Sequence, residues 1–282
     1  MALTEREQTE IEAANTSGRQ PVVFVHGLWL LASSWAKWQA WFDERGYATM
    51  APGWPDDPDT VGDARAHPEV LAGKSVGQIT AHYAEAIGKL AKRPIVIGHS
   101  FGGMITEKLA GQGLNACSVA IDPAPFRGVL PLPISALRAA FPVLRNPRNR
   151  KRAVALSYDQ FRYAFANAVP QAEAKELYDT YPVAGSGVPL FQAAMANFNP
   201  RTEASVDTKN PARGPLLIIS GEHDHTVPHA IANASYKKQR RNTAPTEFIE
   251  INGRGHSLTI DSGWTEVAET ALAFIQRSGL GG

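Results

Sequence analysis

The sequence predicts an α/β protein with a mostly parallel sheet of about six strands, covered by helices on both faces and carrying an inserted helical cap. Three observations support this fold class. Short apolar runs such as Pro21–Val25 are typical of strands buried on both faces. These runs alternate with segments of helical periodicity. Between Pro125 and Pro211, however, no buried strand can be found.

Length and composition are those of an ordinary soluble domain. The 282 residues suffice for one large core, and the charged residues nearly balance to a net +1. Such a charge gives no overall attraction to nucleic acid or to an anionic membrane. No apolar run approaches the roughly 18 residues of a membrane span, and Cys117 has no partner for a disulfide. We therefore expect a cytoplasmic location, no nucleic-acid partner and no membrane partner, while the oligomeric state stays open.

The predicted core elements follow in a regular order. The predicted strands are Pro21–Val25, Tyr47–Ala51, Pro94–Ile97, Val119–Ile121, Pro215–Ile219 and Glu247–Ile251. The predicted helices between and after them are Val76–Leu90, Met104–Ala110, Ile231–Arg240 and Glu266–Arg277, with another that Ser34 could cap. In that last helix Trp35, Trp38, Trp41 and Phe42 share one face, which we interpret as core packing.

Domain boundaries follow from where this alternation starts and stops. Residues 1–20 contain a polar, exposed helix whose Thr4 and Glu7 have capping-box spacing. Residues 21–125 and 211–282 form the α/β core. Residues 126–210, interrupted by several prolines, are predicted to form a helical cap without strand pairing.

The segment Gly98-His99-Ser100-Phe101-Gly102-Gly103 follows a predicted strand and precedes a predicted helix. Glycines two residues before and after Ser100 allow a tight turn that exposes the serine hydroxyl in a strained conformation. The following helix N-terminus favours developing negative charge. In this context the pattern indicates that Ser100 is a nucleophile.

Backbone amides near Ser100 could bind an oxyanion. His26-Gly27-Leu28 lies at the carboxyl end of the first strand, where ligands of parallel sheets bind. We predict that the N–H groups of Leu28 and Phe101 form a two-donor oxyanion hole, and that His26 hydrogen-bonds within its loop.

Two further loops carry the expected partners of the serine. Asp224 lies in Gly221–Pro228 after a predicted strand, and His256 lies in Gly255-His256-Ser257 after the last one. The chain order Ser100, Asp224, His256 is that of α/β-hydrolases, unlike the orders of trypsin-like or subtilisin-like enzymes.

With these segments the chain resembles the α/β-hydrolase superfamily, and the likeness covers all but the N-terminal helix and the insertion. The resemblance implies a nucleophile elbow, an oxyanion hole, a general base, an acid and a cap over the pocket. Many members begin with an antiparallel hairpin, whereas this chain has a polar helix there, which leads us to expect the shortened sheet.

Several residues have competing interpretations. Asp122 also follows a strand and could replace Asp224 as the acid. His223, His225 and His229 lie close to Asp224, but serine chemistry needs no metal, so we predict no metal and no cofactor. The basic residues between Arg145 and Arg152 form a solvated face or a site for an anionic group such as a coenzyme A phosphate. The predicted pocket residues are Trp29, Phe126, Phe161 and Leu258.

Together these residues predict a serine hydrolase that cleaves a carboxylic ester or lactone, a small molecule with an ester-like carbonyl, through an acyl-enzyme on Ser100. Thioesterase activity, and cofactor-independent oxygenase or perhydrolase-type chemistry, are the enzymatic alternatives, because one fold hosts many reactions. A ligand receptor with vestigial hydrolysis is the alternative that is not an enzyme.

Overall fold

A computed structural model describes residues 2–282 and contains a central six-stranded parallel sheet. The strands of the central sheet are β1 (Pro21–Val25), β2 (Ala48–Met50), β3 (Ile95–His99), β4 (Cys117–Ile121), β7 (Leu216–Gly221) and β8 (Thr246–Ile251). Their spatial order is β2-β1-β3-β4-β7-β8, and all neighbours are parallel. The predicted fold class of six parallel strands flanked by helices is confirmed.

The inner strands β1, β3, β4 and β7 are buried on both faces because helices cover both sides of the sheet, whereas the edge strand β8 is partly exposed. Along β1, Val23 and Val25 belong to one hydrophobic core, while Val22 and Phe24 belong to the other. This alternation follows from the two-residue period of a strand. The near-continuous apolar runs of the sequence are therefore explained by two separate cores on one sheet.

Helices follow most strands. The helices outside residues 126–210 are α1 (Glu5–Ser17), α2 (Ala36–Asp43), α3 (Val61–Ala66), α4 (Val76–Gly88), α5 (Phe101–Gly111), α10 (His229–Gln239) and α11 (Trp264–Arg277). Within the described residues 2–282, no helix is both long and apolar enough to cross a membrane.

The N-terminal helix has the predicted capping box but is not fully exposed, which corrects the expectation of a purely solvated helix. Thr4 accepts from the Glu7 amide, and Glu7 accepts from the Thr4 amide. Glu7, Ile11 and Ala14 are buried. The Glu7 carboxylate lies 2.9 Å from Nε2 of His82 on α4, so the helix is held to the domain by a polar contact as well as apolar ones.

The aromatic face of α2 is core packing, as expected. Trp35, Trp38 and Phe42 are buried against Phe24 of β1. Ser34 does not cap α2, because residues 32–35 form a 3-10 turn and the Ser34 hydroxyl donates to the Leu31 carbonyl.

Residues 126–210 contain four helices and one short strand pair. The helices are α6 (Ile134–Leu144), α7 (Tyr158–Ala164), α8 (Gln171–Thr180) and α9 (Gly187–Met195). β5 (Ala153–Val154) pairs antiparallel with β6 (Gly185–Ser186). The expectation of no strand pairing in this segment is wrong. Strands of two residues are too short to produce an alternating pattern in the sequence.

A buried polar network connects α5 with α10. Glu107 on α5 accepts hydrogen bonds from Ser235 and Gln239 of α10, and Gln239 in turn accepts from the buried Arg213. Burial raises the pKa of Glu107 to about 7, against the opposing effects of Ser235, Gln239 and the charge of Arg213.

We predict that this carboxyl makes stability pH-dependent. A raised pKa in the folded state means that the contribution is present below the unfolded value and is lost as pH rises through about 7. The free energy of unfolding should fall by up to about 3 kcal/mol from this group across that window. Urea titrations of the wild type and of Glu107→Gln at several pH values measure this change in the free energy of unfolding. The variant should show the shallower pH dependence, and the exposed Glu12→Gln should behave as wild type; identical slopes for all three would contradict the assignment.

Candidate active site

The carboxyl ends of the central strands bring the predicted site residues together. Ser100 follows β3, Asp224 and His256 lie in the loops after β7 and β8, and Leu28 follows β1. Because all these strands are parallel, their ends meet at one edge of the sheet. The arrangement follows from the topology and places groups up to 228 residues apart along the chain, Leu28 and His256, at one edge.

Ser100 occupies a strained turn between β3 and α5. Its backbone has φ 58° and ψ −120°, a conformation that L-residues rarely adopt. The Ser100 amide donates to the Ile121 carbonyl at 2.9 Å, and the Ser100 carbonyl accepts from Ala124 at 2.9 Å. These bonds to the end of β4 hold the strained residue in place.

Two glycines permit this turn because the backbone segments approach very closely. A Cβ on Gly102 would lie 2.0 Å from the carbonyl oxygen of Val25. A Cβ on Gly98 would lie 2.2 Å from the carbonyl oxygen of Gly102. Both approaches are shorter than any van der Waals contact, so the start of α5 can pack on β1 and β3 only with glycine at these positions.

A chain of hydrogen bonds joins the serine to the aspartate. Ser100 Oγ lies 3.0 Å from His256 Nε2, and His256 Nδ1 lies 2.6 Å from Asp224 Oδ2. The other Asp224 oxygen accepts from the amides of Thr226 at 2.6 Å and Val227 at 2.8 Å. An ionised Asp224 would place the imidazole proton on Nδ1 and leave the Nε2 lone pair facing the serine hydroxyl.

The two predicted oxyanion donors lie in segments next to Ser100: Phe101 directly follows it, and a Cβ on Gly27, the residue before Leu28, would lie 2.9 Å from the Ser100 Cβ. Phe101 is the first residue of α5, where helix amides have no partner within the helix. Leu28 lies in the loop after β1, next to Trp29, whose backbone has φ 69°. His26 behaves as expected, since its Nδ1 lies 3.0 Å from the Gly27 carbonyl; its Nε2 lies 3.1 Å from Asp57.

Asp122, the competing acid, is buried beside the chain. Its Oδ1 accepts from the Gly221 amide at 2.8 Å, and one of its oxygens lies within 4.8 Å of a His256 ring nitrogen. Burial, and then the charge of Asp224 and a hydrogen bond with its carboxyl, raise the pKa of Asp122 well above its ordinary value. The His256 hydrogen bond goes to Asp224, and burial beside that carboxyl, through the raised pKa, favours the protonated form of Asp122.

His99 is a further buried group, which the sequence did not mark as functional. Its ring centroid lies 4.6 Å from that of His256, and within residues 2–282 neither of its ring nitrogens has a hydrogen-bond partner. Burial, and then the charge of His256, hold the pKa of His99 well below its ordinary value. A neutral His99 packs against His256 without adding a second positive charge. The only available signal was its position directly before the serine.

The histidines near Asp224 in the chain do not converge. His225 Nδ1 lies 3.0 Å from the Tyr163 carbonyl, while His229 contacts Glu250. In residues 2–282, the groups close enough to hold a metal are His99, Asp122 and His256. Both ring nitrogens of His256 already make the hydrogen-bond contacts with Asp224 and Ser100. A metal ion at this position would have to replace one of those contacts.

A cavity of about 440 Å³ opens onto Ser100. Of the predicted pocket residues, Trp29 and Phe126 line it, together with Phe101, Val129, Leu190 and Val227. Its lining is predominantly apolar, since Ser100, Asn197 and Thr226 are the polar side chains among its walls.

Two pocket predictions are wrong. Phe161 lies behind the cavity, where its ring stacks on Phe165 at 5.2 Å and meets Tyr178. Phe165, one helical turn later, reaches the site instead, with its ring 4.7 Å from that of His256. Leu258 is buried in the hydrophobic core on one face of the sheet, because the loop after His256 turns back toward α11.

Comparisons with known proteins agree with this architecture. The model of the Alpha/beta hydrolase family matches residues 22–270, and the chain belongs to that family. No curated protein sequence matches the chain.

Solved structures with the same fold include several hydrolases. A monoacylglycerol lipase of Paleococcus ferrophilus has 18% identity and a TM-score of 0.63, covering 93% of this chain and 96% of its own. A pyrethroid hydrolase of Sphingobium faniae JZ-2 has 17% identity and a TM-score of 0.62, covering 91% and 97%. The thioesterase domain of the curacin biosynthetic pathway has 14% identity and a TM-score of 0.59, covering 91% and 92%. At these identities the likeness establishes the fold.

The close approach at Gly102 gives a testable prediction. Gly102→Ala should lower the free energy of unfolding by about 3 kcal/mol or more, because the added Cβ meets backbone that cannot move independently. Thermal unfolding measures this. Gly88→Ala, at the exposed last residue of α4, is the matched control, since its Cβ would meet nothing within 4 Å and the variant should gain up to about 0.5–1 kcal/mol. Equal melting temperatures for the two variants would contradict the packing argument.

Proposed function

We propose that the chain is a serine hydrolase that cleaves a carboxylic ester or lactone through an acyl-enzyme on Ser100. One observation carries the proposal. Hydrogen bonds link Asp224 to His256 and His256 to Ser100, and Ser100 lines an apolar cavity. A serine hydroxyl is a weak nucleophile until a base accepts its proton, and His256 Nε2 lies at the distance required for that transfer.

The first half of the reaction forms the acyl-enzyme. Ser100 Oγ attacks the carbonyl carbon while its proton passes to His256 Nε2. The carbonyl oxygen becomes an oxyanion. As the tetrahedral intermediate collapses, the bond to the leaving alcohol breaks, and the alkoxide takes the proton from His256. Asp224 keeps the imidazole oriented and stabilises its charged form throughout.

The second half of the reaction hydrolyses the acyl-enzyme and regenerates the free enzyme. Water attacks the acyl carbon as His256 removes its proton, and the carboxylic acid leaves as the proton returns to Ser100. The amides of Leu28 and Phe101 would stabilise the oxyanion in both halves, each contributing on the order of 10²–10³-fold to the rate. The positive end of α5 adds to this stabilisation.

The cavity favours an ester whose acyl part is apolar. Its walls are largely aliphatic and aromatic, so burial of hydrocarbon would supply the binding energy. The proteins of similar fold named above act, by their names, on acylglycerols, pyrethroids and thioesters. In the proposal, residues 126–210 form the cap and residues 21–125 with 211–282 the core, and the protein works in the cytoplasm.

The nucleophile assignment predicts that a fluorophosphonate probe labels Ser100 in the native protein. Ser100→Ala should lose labelling and should hydrolyse p-nitrophenyl esters at least about 10³-fold more slowly than wild type. Esters of graded acyl length, assayed with and without oxygen, measure both the acyl preference and any oxygen requirement. Ser257→Ala is the control for a buried serine outside the hydrogen-bonded chain. Unchanged turnover by Ser100→Ala would refute the mechanism.

The two buried carboxyls predict opposite results for the same substitution. Asp224→Asn should reduce kcat by on the order of 10³-fold, because an amide cannot keep the proton on His256 Nδ1. Asp122→Asn should stay within about tenfold of wild type, because an amide still accepts from Gly221 and resembles a protonated carboxyl. Steady-state kinetics of both variants, with circular dichroism as a check of folding, decide the matter. The reverse ranking would move the acid to Asp122.

A further inference from the structure

An exposed apolar surface adjoins the cavity at Ser100, since Leu130, Leu132, Leu137 and Phe198 line that cavity and are also exposed. Within residues 2–282, every strongly exposed large apolar side chain except Val70 lies between residues 130 and 141 or between 195 and 198. The main contributors, which we call the apolar rim, are Leu130, Leu132, Ile134, Leu137, Phe141 and Phe198. Soluble proteins rarely expose such a cluster unless it meets a partner.

Helix α6 supplies the centre of this rim. Ala139 and Val143 are buried on its inner face, whereas Ile134, Leu137 and Phe141 recur at helical spacing on the outer face. Ile134 is 83% exposed and Phe141 59%, so within residues 2–282 these two side chains are left largely without packing partners.

Positive charge continues directly from the apolar face. Arg145 follows Phe141 by four residues and therefore lies on the same side of α6. From Pro123 to Tyr158 the chain has seven basic residues and no Asp or Glu. The last five of these basic residues are all exposed, and we call them the basic run: Arg145, Arg148, Arg150, Lys151 and Arg152. Among residues 2–282 none of these five forms an ion pair with a carboxylate.

We propose that the apolar rim and this basic run bind an anionic lipid surface peripherally, with the cavity mouth against the lipid. Apolar insertion and attraction to anionic headgroups are the two signals that together give stable surface binding. Each basic residue near an anionic bilayer raises the partition by about fivefold. The net charge of +1 led us to expect no membrane partner, but that value conceals the local concentration of charge.

Charge also argues against a second copy of this chain as the occupant. A two-fold interface would place the same patch on both subunits. The basic residues at the end of α6 would then find no carboxylate for an ion pair in the same stretch of the second copy, because residues 123–158 contain no Asp or Glu. An anionic lipid surface is complementary to both parts of the patch.

Vesicle co-sedimentation tests the proposal without reference to hydrolysis. The wild type should bind vesicles of phosphatidylcholine mixed with phosphatidylglycerol, bind pure phosphatidylcholine vesicles at least about tenfold more weakly, and dissociate as salt rises. Ile134→Ser with Phe141→Ser, and separately Arg148→Gln with Arg150→Gln and Arg152→Gln, should each reduce anionic binding by at least about tenfold.

Matched controls separate the patch from general effects. Lys37→Gln with Lys209→Gln and Arg241→Gln removes the same charge from scattered exposed positions, and Val70→Ser removes an exposed apolar side chain elsewhere. Both should bind as wild type, and all variants should keep wild-type circular dichroism and fluorophosphonate labelling. Absence of wild-type binding, or equal loss in the controls, would overturn the proposal. A dimer in analytical ultracentrifugation that Ile134→Ser with Phe141→Ser dissociates, without vesicle binding, would assign the rim to a second copy.

Discussion

The whole site depends on the close contact between the start of α5 and strand β1. Because no Cβ fits between Gly102 and the Val25 carbonyl, the helix can begin immediately after Ser100 and still pack on the sheet. The serine is then forced to positive φ at the turn. At this turn the Ser100 hydroxyl lies 3.0 Å from His256 Nε2, and α5 begins at the next residue, Phe101. A looser turn would keep the same sheet but separate these groups.

Burial gives the groups around His256 their electrostatic character. Asp122 and Asp224 lie side by side in the interior, and two adjacent buried negative charges are costly. Raising the pKa of Asp122 resolves the conflict, since one carboxyl is then neutral. His99 is kept neutral in the same way next to His256. The raised pKa of Asp122 and the lowered pKa of His99 both oppose additional charge beside the pair His256–Asp224, which links the packing of β3 and β4 to the proposed chemistry.

Local pattern was sufficient to predict the sheet and the loops that bear Ser100, Asp224 and His256, because the inner strands are short apolar runs and the loops after them carry glycine. The choice of Asp224 rather than Asp122 as the acid stays a prediction about activity. The hydrogen bond between His256 and Asp224 supports it. What the sequence could not indicate depends on contacts between distant segments. The position of Phe165 at the site, the withdrawal of Phe161 and Leu258, and the pairing of β5 with β6 all arise from how residues 126–210 fold back on the core.

That segment is joined to the core at the loops that form the site. The Trp29 indole donates to the Val154 carbonyl at 2.9 Å, and the Val183 amide donates to the Trp29 carbonyl at 2.9 Å. On the other side, Thr226 donates to Ala164 and the Ser257 amide donates to Phe165. The oxyanion loop, the acid loop and the histidine loop are therefore each tied to residues 126–210. These hydrogen bonds connect the proposed lipid-binding segment directly to the loops of the proposed catalytic residues.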